Sequence, residues 1–464
     1  MPPSCFKLIA GCLLALTTSA TRAGPILGDG LSPLLDAAPR TAGDAEQSAR
    51  LNERLQRAVA AFEREDHDEA FWQFEAAHRE FPELPPPRLL LARLFLTNGE
   101  AAATRALLER VAVDHADYPG TYITLGRLAL LEGRLADAEA QFEKAAAVAG
   151  AGGAEFAEQY SPPILEGRAE VAERRGDFAA ASSFLATLVS LNPKSAAVHL
   201  RLGCAQFRCG QREQAAESLA TAISIEPSMP PIDLTMAELH MLAGESDAAG
   251  ELLVSATERT PEDVRLQTAL AGWLLKQDRV PEAGERAAAA VALDPVARDA
   301  RFVLGVAKLH GGSPAEAAET FAELQQSAPA DLESLRYLAL ALAHQEDQVS
   351  RNRALQCAES LARQLPENRL AGATLGWCQY RAGRLSDARQ TLLRSIAGGQ
   401  GPAETGYYLA CVLRDLGETS EVPKLLESAA HAPKPFLYSQ DVERWRSSAQ
   451  SDDASVGAAR ETSN

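Results

Sequence analysis

A period of 34 residues constrains this chain more than any other feature of its sequence. The pattern is clearest in residues 119–150, PGTYITLGRLALLEGRLADAEAQFEKAAAVAG. Leu125 and Gly126 fall on one face of a first predicted helix, and Ala138 and Phe142 recur at helical spacing on a second. Because the small residues let two helices approach closely and the large ones fill the remaining space, the stretch predicts a helical hairpin.

The same hairpin returns along almost the whole chain. Counting each unit from 1, position 20 is Ala in nine of eleven units, and Pro closes seven units, where it cannot continue the second helix. Position 8 is Gly or Ala in every unit: Ala58, Ala92, Gly126, Ala169, Gly203, Ala237, Ala271, Gly305, Ala339, Gly376 and Ala410.

A helix pair with these small residues and a closing Pro resembles the tetratricopeptide repeat family over about residues 51–436. The resemblance implies an all-α fold, a right-handed superhelical solenoid of about eleven tetratricopeptide helix pairs. It also implies that positions 2, 5, 9, 12 and 13 of the first helices form a concave binding surface, here called the first-helix face. The Lys and Asn pair with which the family's best-known peptide clamp grips a carboxylate is absent from positions 5 and 9, so we do not predict a heat-shock chaperone cofactor.

Shifts of phase and composition divide the chain into segments. A nine-residue displacement follows Gly150, so that the fourth unit is predicted to start near Pro162, with Pro163 in the first helical turn. The predicted order is a signal peptide (1–23), a flexible linker (24–50), a block of three repeats (51–152), a joint (153–161), a block of eight repeats (162–436), a capping helix (437–447) and a disordered tail (448–464).

The first 23 residues have the pattern of a secretory signal. Lys7 precedes the apolar run Leu8–Leu16, and small residues before Ala20 or Ala23 suit cleavage. Cys12 comes too early for a lipoprotein processing box, so we do not expect a lipid anchor there. The apolar run is too short to cross a bilayer, and no later segment reaches that length. We therefore expect an exported protein, periplasmic or secreted, with no membrane span.

The sequence contains no familiar catalytic constellation. It has no GxxxxGK[ST] loop, HExxH pair, GxSxG elbow or CxxC motif, so we predict no enzyme activity, cofactor or metal. His310 and His344 share position 13 of successive units and are expected side by side. Without Cys or carboxylate ligands at matched positions, we favour exposed polar residues over a zinc site. The net charge of −18 argues against nucleic acid as a partner.

Five cysteines remain beyond the predicted signal, an odd number with irregular spacing that does not indicate a disulfide framework. Cys357 and Cys378 lie on adjacent predicted helices and could meet as a pair. The alternative, which we favour, is that they are small buried residues in place of Ala. The five are Cys204, Cys209, Cys357, Cys378 and Cys411.

Two groups of residues on the first-helix face are candidate partner-binding sites. Trp, Tyr and Arg dominate binding hot spots, although one aromatic on a helical stripe usually packs against a neighbouring helix. The Arg residues of the second group have a solvated charged surface as their alternative. The C-terminal group is Trp377, Tyr380, Arg381, Tyr407 and Arg414, with Cys411 between them. The N-terminal group is Arg93, Arg127, Arg174 and Arg208, with Glu170 and Glu173 nearby.

The sequence thus favours a non-catalytic exported scaffold that binds a peptide or protein segment on its first-helix face. An alternative is a periplasmic adaptor in envelope polysaccharide export or outer-membrane assembly, with the aromatic rings stacking on an envelope glycan. A third is hydrolase or transferase activity from an unrecognised site, which would need a deep pocket with convergent titratable groups.

Overall fold

The computed structural model describes residues 45–397, 401–402, 404–432 and 436–445. The predicted signal peptide, most of the predicted linker and the predicted tail lie outside these ranges. The helices are α1 (Ala45–Glu63), α2 (His67–Glu80), α3 (Pro87–Thr97), α4 (Ala101–Asp114), α5 (Pro119–Leu131), α6 (Leu135–Ala151), α7 (Ala154–Arg175), α8 (Phe178–Leu191), α9 (Ala196–Arg208), α10 (Arg212–Ile225), α11 (Ile232–Leu242), α12 (Ser246–Arg259), α13 (Val264–Lys276), α14 (Val280–Leu293), α15 (Arg298–His310), α16 (Pro314–Ser327), α17 (Leu332–His344), α18 (Gln348–Gln364), α19 (Arg369–Arg381), α20 (Leu385–Ile396), α21 (Glu404–Asp415) and α22 (Val422–Ala430).

Odd-numbered helices are the predicted first helices of the repeats, and even-numbered helices are the second. The first helices from α1 to α9 and from α13 to α21 pack on the second helix of their own pair, and first helices such as α17, α19 and α21 also contact one another in succession. The described residues contain no β-strand. The predicted all-α repeat fold is therefore confirmed.

The glycines at position 8 lie against a large side chain 16 residues further along the chain. A Cβ atom added to Gly126 would come within 2.8 Å of the Phe142 ring, and one added to Gly305 would come within 2.8 Å of Phe321. Both rings are fully buried. Since atoms cannot approach this closely, the glycine at each of these two positions leaves the space that the phenyl ring fills.

The turn inside each hairpin also depends on backbone conformation. Gly133, between α5 and α6, has φ of 72°, in the left-handed region that suits glycine. Glu65 and Asp278 take the same conformation at the equivalent turns, with φ of 62° and 63°. Glu65 lies in the first unit, between α1 and α2, so a non-glycine residue there does not prevent the hairpin turn.

The predicted joint over residues 153–161 is wrong, because α7 begins at Ala154 and continues to Arg175 with Pro162 and Pro163 in its interior. Gly153, with φ of 98°, separates α7 from α6. Tyr160 explains why the extra turns stay helical: it is buried, and its ring meets that of Phe156 edge-on at 4.8 Å. Packing of this face outweighs the helix-breaking tendency of the prolines.

The other predicted boundaries also shift. Helix α1 begins at Ala45, so the last residues of the predicted flexible linker are helical. Residues 439–445 are helical within the predicted capping segment 437–447. The described chain divides into two compact units between Leu239 and His240, rather than at the predicted joint. The N-terminal unit is residues 45–239, and the C-terminal unit is the described part of 240–445.

Candidate functional site

The first-helix face of the C-terminal unit is covered by the chain's own residues 436–445, here called the C-terminal segment. Some of its side chains are buried against the repeats and others are exposed to solvent. Phe436, Tyr438 and Val442 are buried, whereas Gln440 and Glu443 are exposed. Because residues 439–445 are helical, Tyr438 and Val442 fall on the side that meets the repeats.

Aromatic rings make most of this contact. The Tyr438 ring stacks on Tyr407 of α21, with centroids 4.8 Å apart and planes 17° apart, and meets Trp377 of α19 edge-on at 4.9 Å. Trp377 itself stacks on Tyr408 at 4.6 Å. Phe436 adds a further edge contact to Tyr407 at 6.0 Å. Such geometry stabilises beyond the area it buries, by roughly 0.5–1.5 kcal/mol per ring pair.

Polar contacts fix the position of the segment on this surface. The Tyr407 hydroxyl donates a hydrogen bond to Asp441 Oδ2 at 3.2 Å. His344 Nδ1, at the end of α17, lies 3.3 Å from the Tyr438 hydroxyl oxygen. Three first helices, α17, α19 and α21, therefore share one bound segment. A segment held by both stacking and directed hydrogen bonds has a defined register.

The remaining residues of the predicted C-terminal group lie around this contact. The Arg414 guanidinium lies 4.5 Å from the centroid of the Trp445 ring, a cation–π contact with the last described residue of the segment. The Tyr380 hydroxyl donates to Asp415 Oδ2 at 2.8 Å. Arg381 lies over the Trp377 ring at 5.9 Å. All five predicted residues thus meet in one region of the C-terminal unit.

The structure nevertheless corrects the prediction that Trp377 and Tyr407 are open to a partner, because they are only 2% and 6% exposed. The C-terminal segment contacts both rings. The sequence predicted a capping helix over residues 437–447, but not that Tyr438 would lie on these two rings. Tyr408, Phe436 and Tyr438 were not predicted to lie at this site. The sequence signal for Phe436 and Tyr438 is a pair of aromatic residues, two positions apart, at the end of the repeats.

The environment of the titratable groups is apolar. Burial raises the pKa of the Tyr407 and Tyr438 hydroxyls well above its usual value. Burial, followed by the hydrogen bond to Asp415, raises the pKa of Tyr380 to about 12. Burial, aided by the Arg381 charge, lowers the pKa of His344. At neutral pH the segment is therefore bound by neutral phenols and a neutral imidazole.

A cavity of about 660 Å³ lies beside the C-terminal segment. Its volume is within the range of ligand pockets. Its other walls come from the ends of α15 and α17 and the start of α14. Charged and polar side chains reach it from both sides: Asp278, Lys308, His310, His344, Asp441 and Arg444.

His310 and His344 do line one cavity, as their shared repeat position predicted, but both are half-buried, which differs from the expected exposure. Burial is the main cause that lowers the pKa of His310 to about 4; Asp278 opposes this shift, and His344 adds to it. Within the described residues, no group of three or more His, Cys, Asp or Glu side chains is placed to hold a metal ion.

The predicted N-terminal arginines lie in the N-terminal unit and do not form one open charged surface. Arg93 is only 3% exposed, and its Nε donates to Thr124 Oγ1 at 3.3 Å. Arg127 is half-buried. Arg174 is exposed and donates to the carbonyl of Leu130 at 2.7 Å.

Arg208 is exposed and lies 4.6 Å over the Phe178 ring. The predicted carboxylates neutralise part of the positive charge of this group. Glu170 accepts from Arg174 at 2.5 Å, and Glu173 accepts two hydrogen bonds from Arg201. Most of these contacts therefore join helices of the N-terminal unit to one another.

The five described cysteines are free thiols. Cys357 is half-buried and Cys378 is buried, in agreement with the interpretation as small packing residues. Burial raises the pKa of Cys204 to about 12 and that of Cys411 to about 11. These two side chains are thiols, not thiolates, at neutral pH. None of the helices in the described ranges has the length and apolar character needed to cross a bilayer.

Comparison with known proteins supports the repeat assignment. Residues 210–272 and residues 274–332 match two family models, both described as tetratricopeptide repeat. No curated protein sequence matches the chain. The two matched segments lie inside the region that the 34-residue period had assigned to repeats.

Several solved structures are similar to this chain at low sequence identity. A tetratricopeptide repeat protein from Parabacteroides merdae is 16% identical, over 55% of this chain and 99% of its own, with a TM-score of 0.38. The yeast Tom70 structure is 12% identical, over 88% and 97%, with a TM-score of 0.34. The P58(IPK) TPR domain is 15% identical, over 80% and 99%, with a TM-score of 0.27. Two tetratricopeptide repeat family models therefore match part of this chain, residues 210–272 and 274–332.

Proposed function

We propose that this chain is a non-catalytic, exported repeat scaffold that binds a peptide or protein segment on its first-helix face. One observation carries the proposal. Three successive first helices hold ten residues of the chain itself, by ring stacking on Tyr407 and Trp377 and by the hydrogen bond from Tyr407 to Asp441. A surface that fixes a peptide segment in cis has the chemistry to hold one in trans.

The side chains around the C-terminal segment favour binding over catalysis. The tyrosine hydroxyls and cysteine thiols around the C-terminal segment have raised pKa values because they are buried, so they supply neither a thiolate nor a general base at neutral pH. The cavity beside the segment instead offers paired positive and negative groups. Such groups suit a polar peptide backbone and its side chains.

Export is supported by the sequence pattern of residues 1–23, a charged residue, a short apolar run and small residues before a cleavage site. The proposed location is the periplasm or the medium. Size exclusion and N-terminal sequencing of the protein recovered from outside the cytoplasm test it. Recovery of the chain from the cytoplasm with residues 1–23 intact would contradict export.

The alternative role, an adaptor for envelope polysaccharide or outer-membrane assembly, requires aromatic rings free to stack on sugars. Trp377 and Tyr407 make that contact with Tyr438 instead. A peptide partner therefore has more support than a glycan, because the rings already bind a peptide segment in a defined register.

A random peptide library displayed on phage, panned against the purified chain, tests the proposal beside a glycan array. We expect enriched peptides whose affinity falls at least threefold in Lys308→Ala, because Lys308 lines the open cavity. Lys424→Ala is the matched control, since Lys424 is exposed on a second helix. Glycan binding without peptide binding would overturn the proposal.

A further inference from the structure

The C-terminal segment differs from an ordinary end cap in the chemistry of its contacts. A cap needs only apolar side chains to cover the last helix pair. This segment instead places a tyrosine on the Tyr407 and Trp377 rings, and an aspartate within hydrogen-bonding distance of the Tyr407 hydroxyl. Its contacts also reach back to His344 on α17, two pairs before the end of the repeats.

The spacing of its contact residues defines a motif. Phe436, Tyr438 and Val442 are buried, and Asp441 accepts the hydrogen bond. Trp445 lies under the Arg414 guanidinium. The bound sequence FLYSQDVERW thus reads as aromatic, any, aromatic, any, any, aspartate, aliphatic, any, any, tryptophan.

The short connection between the C-terminal segment and the repeats is compatible with replacement of the segment by a competing peptide. Only residues 431–435 separate it from the end of α22 at Ala430. A short tether of this kind gives a local concentration on the order of millimolar, which raises the apparent dissociation constant of any competitor without closing the surface permanently. The 660 Å³ cavity along the segment leaves its flank open to an incoming chain.

We propose that residues 436–445 are an internal pseudo-ligand: they occupy the surface of α17, α19 and α21 until a partner segment with the same aromatic, aromatic, aspartate spacing displaces them. This inference rests on the proposed peptide-binding function and specifies its partner. The partner is a protein segment that places a tyrosine or phenylalanine against both the Tyr407 and Trp377 rings and presents a carboxylate to the Tyr407 hydroxyl.

The first experiment measures binding of a fluorescent FLYSQDVERW peptide to full-length variants by anisotropy. Tyr438→Ala removes the internal ring from its site and should tighten peptide binding at least tenfold relative to the wild type. Gln440→Ala, on the exposed side of the same segment, should leave affinity within twofold. A peptide with alanine at its third position, the equivalent of Tyr438, should bind at least tenfold more weakly to the Tyr438→Ala protein.

A second experiment uses only the wild-type chain and so does not depend on the folding of a variant. Amide hydrogen exchange over residues 439–445 is followed while a heavy-isotope FLYSQDVERW peptide is added in excess. Displacement should speed exchange in the protein's own segment, while amides of α21 stay protected. Unchanged exchange at a peptide concentration that saturates binding, or absence of any peptide binding, would overturn the pseudo-ligand.

The possible results distinguish the pseudo-ligand proposal from the proposed peptide-binding function. If peptides selected from the random library bind the wild type and Tyr438→Ala equally, the scaffold function stands and the pseudo-ligand falls. If the selected peptides bind more tightly to Tyr438→Ala but lack the aromatic and aspartate spacing, the proposed partner chemistry is wrong. If no peptide binds either protein, the proposed function itself fails.

Discussion

The first-helix faces of the two units differ in both chemistry and outcome. In the N-terminal unit the face carries arginines, and these bond to nearby helices, as Arg93 does to Thr124 and Arg174 to the Leu130 carbonyl. In the C-terminal unit the face carries aromatics, and a separate segment of the chain covers them. The same repeat positions therefore serve internal cohesion in one unit and segment binding in the other.

The reason lies in what each side chain needs. A guanidinium can bend its long stem and reach a hydroxyl, carbonyl or carboxylate on its own helix or on a neighbouring first helix, so the repeats themselves can satisfy it. An exposed indole or phenol ring leaves a large apolar area in water, which favours its burial by other side chains. Arg174 is bonded to Glu170 on its own helix and to the Leu130 carbonyl on α5, whereas the Trp377 ring is contacted by Tyr438, 61 positions later in the sequence.

The largest test of this contrast is Trp377→Ala. Removing a fully packed indole should lower the free energy of unfolding by about 3–5 kcal/mol, through lost burial and the cavity left behind. Trp72→Ala is the matched control: Trp72 is 51% exposed, and its loss should cost less than about 1 kcal/mol. Chemical unfolding followed by circular dichroism measures both, and equal costs would mean that the aromatic cluster does not stabilise the C-terminal unit.

A smaller effect is expected among the arginines of the N-terminal unit. Arg93→Ala should lower the free energy of unfolding by about 1–3 kcal/mol, because its buried guanidinium bonds Thr124. Arg174→Ala should change it by less than about 1 kcal/mol, since Arg174 is exposed and its ion pair with Glu170 is solvated. The same unfolding measurement distinguishes them. A larger loss for Arg174 would reverse the assignment of Arg93 as the interior contact.

The smallest effect concerns pH in the C-terminal unit. The pKa of His310 is lowered to about 4 from an ordinary value of 6.5. As the pH falls, this imidazole is therefore protonated in the unfolded chain before it is protonated in the folded protein. Stability from the neutral imidazole is complete above pH 6.5 and is lost as pH falls toward 4. His310 faces Asp278 and His344 and shares its cavity with Lys308.

His310→Gln removes this titration. The decrease in melting temperature between pH 7 and pH 4.5 should therefore be smaller in the variant than in the wild type, by about 2 °C or more. The measurement is thermal unfolding followed by circular dichroism at each pH, with His115→Gln, in the N-terminal unit, as a control whose curve should follow the wild type. Parallel curves for His310→Gln and the wild type would contradict the expected role of the buried imidazole.

The sequence predicted the fold well because repetition makes the signal redundant. Each Gly or Ala at position 8 and each large residue 16 positions later reports the same local contact, so Gly126 with Phe142 and Gly305 with Phe321 confirm one another. The joint was mispredicted for the opposite reason. Pro162 and Pro163 are strong local signals, and only the packing of Tyr160 in three dimensions outweighs them.

The candidate site was predicted in composition but not in accessibility. Trp377, Tyr407 and Arg414 lie together, as their repeat positions required. Whether an aromatic face is open or covered depends on a segment outside the repeats, and the 34-residue period contains no information about where that segment lies. Periodicity therefore locates a surface without revealing its occupant.

The pairing of position 8 with the residue 16 places later has a consequence for how such a chain can change its length. Both members of the pair belong to the same 34-residue block, so duplicating or deleting one whole block carries the fit along with it. Recombination between the two helices of a hairpin would instead combine the position-8 residue of one block with the large side chain of another. Gly203, which packs against Leu219, would then face a side chain of different size or shape. The block, rather than the single helix, is thus the unit in which this architecture can be inherited or recombined.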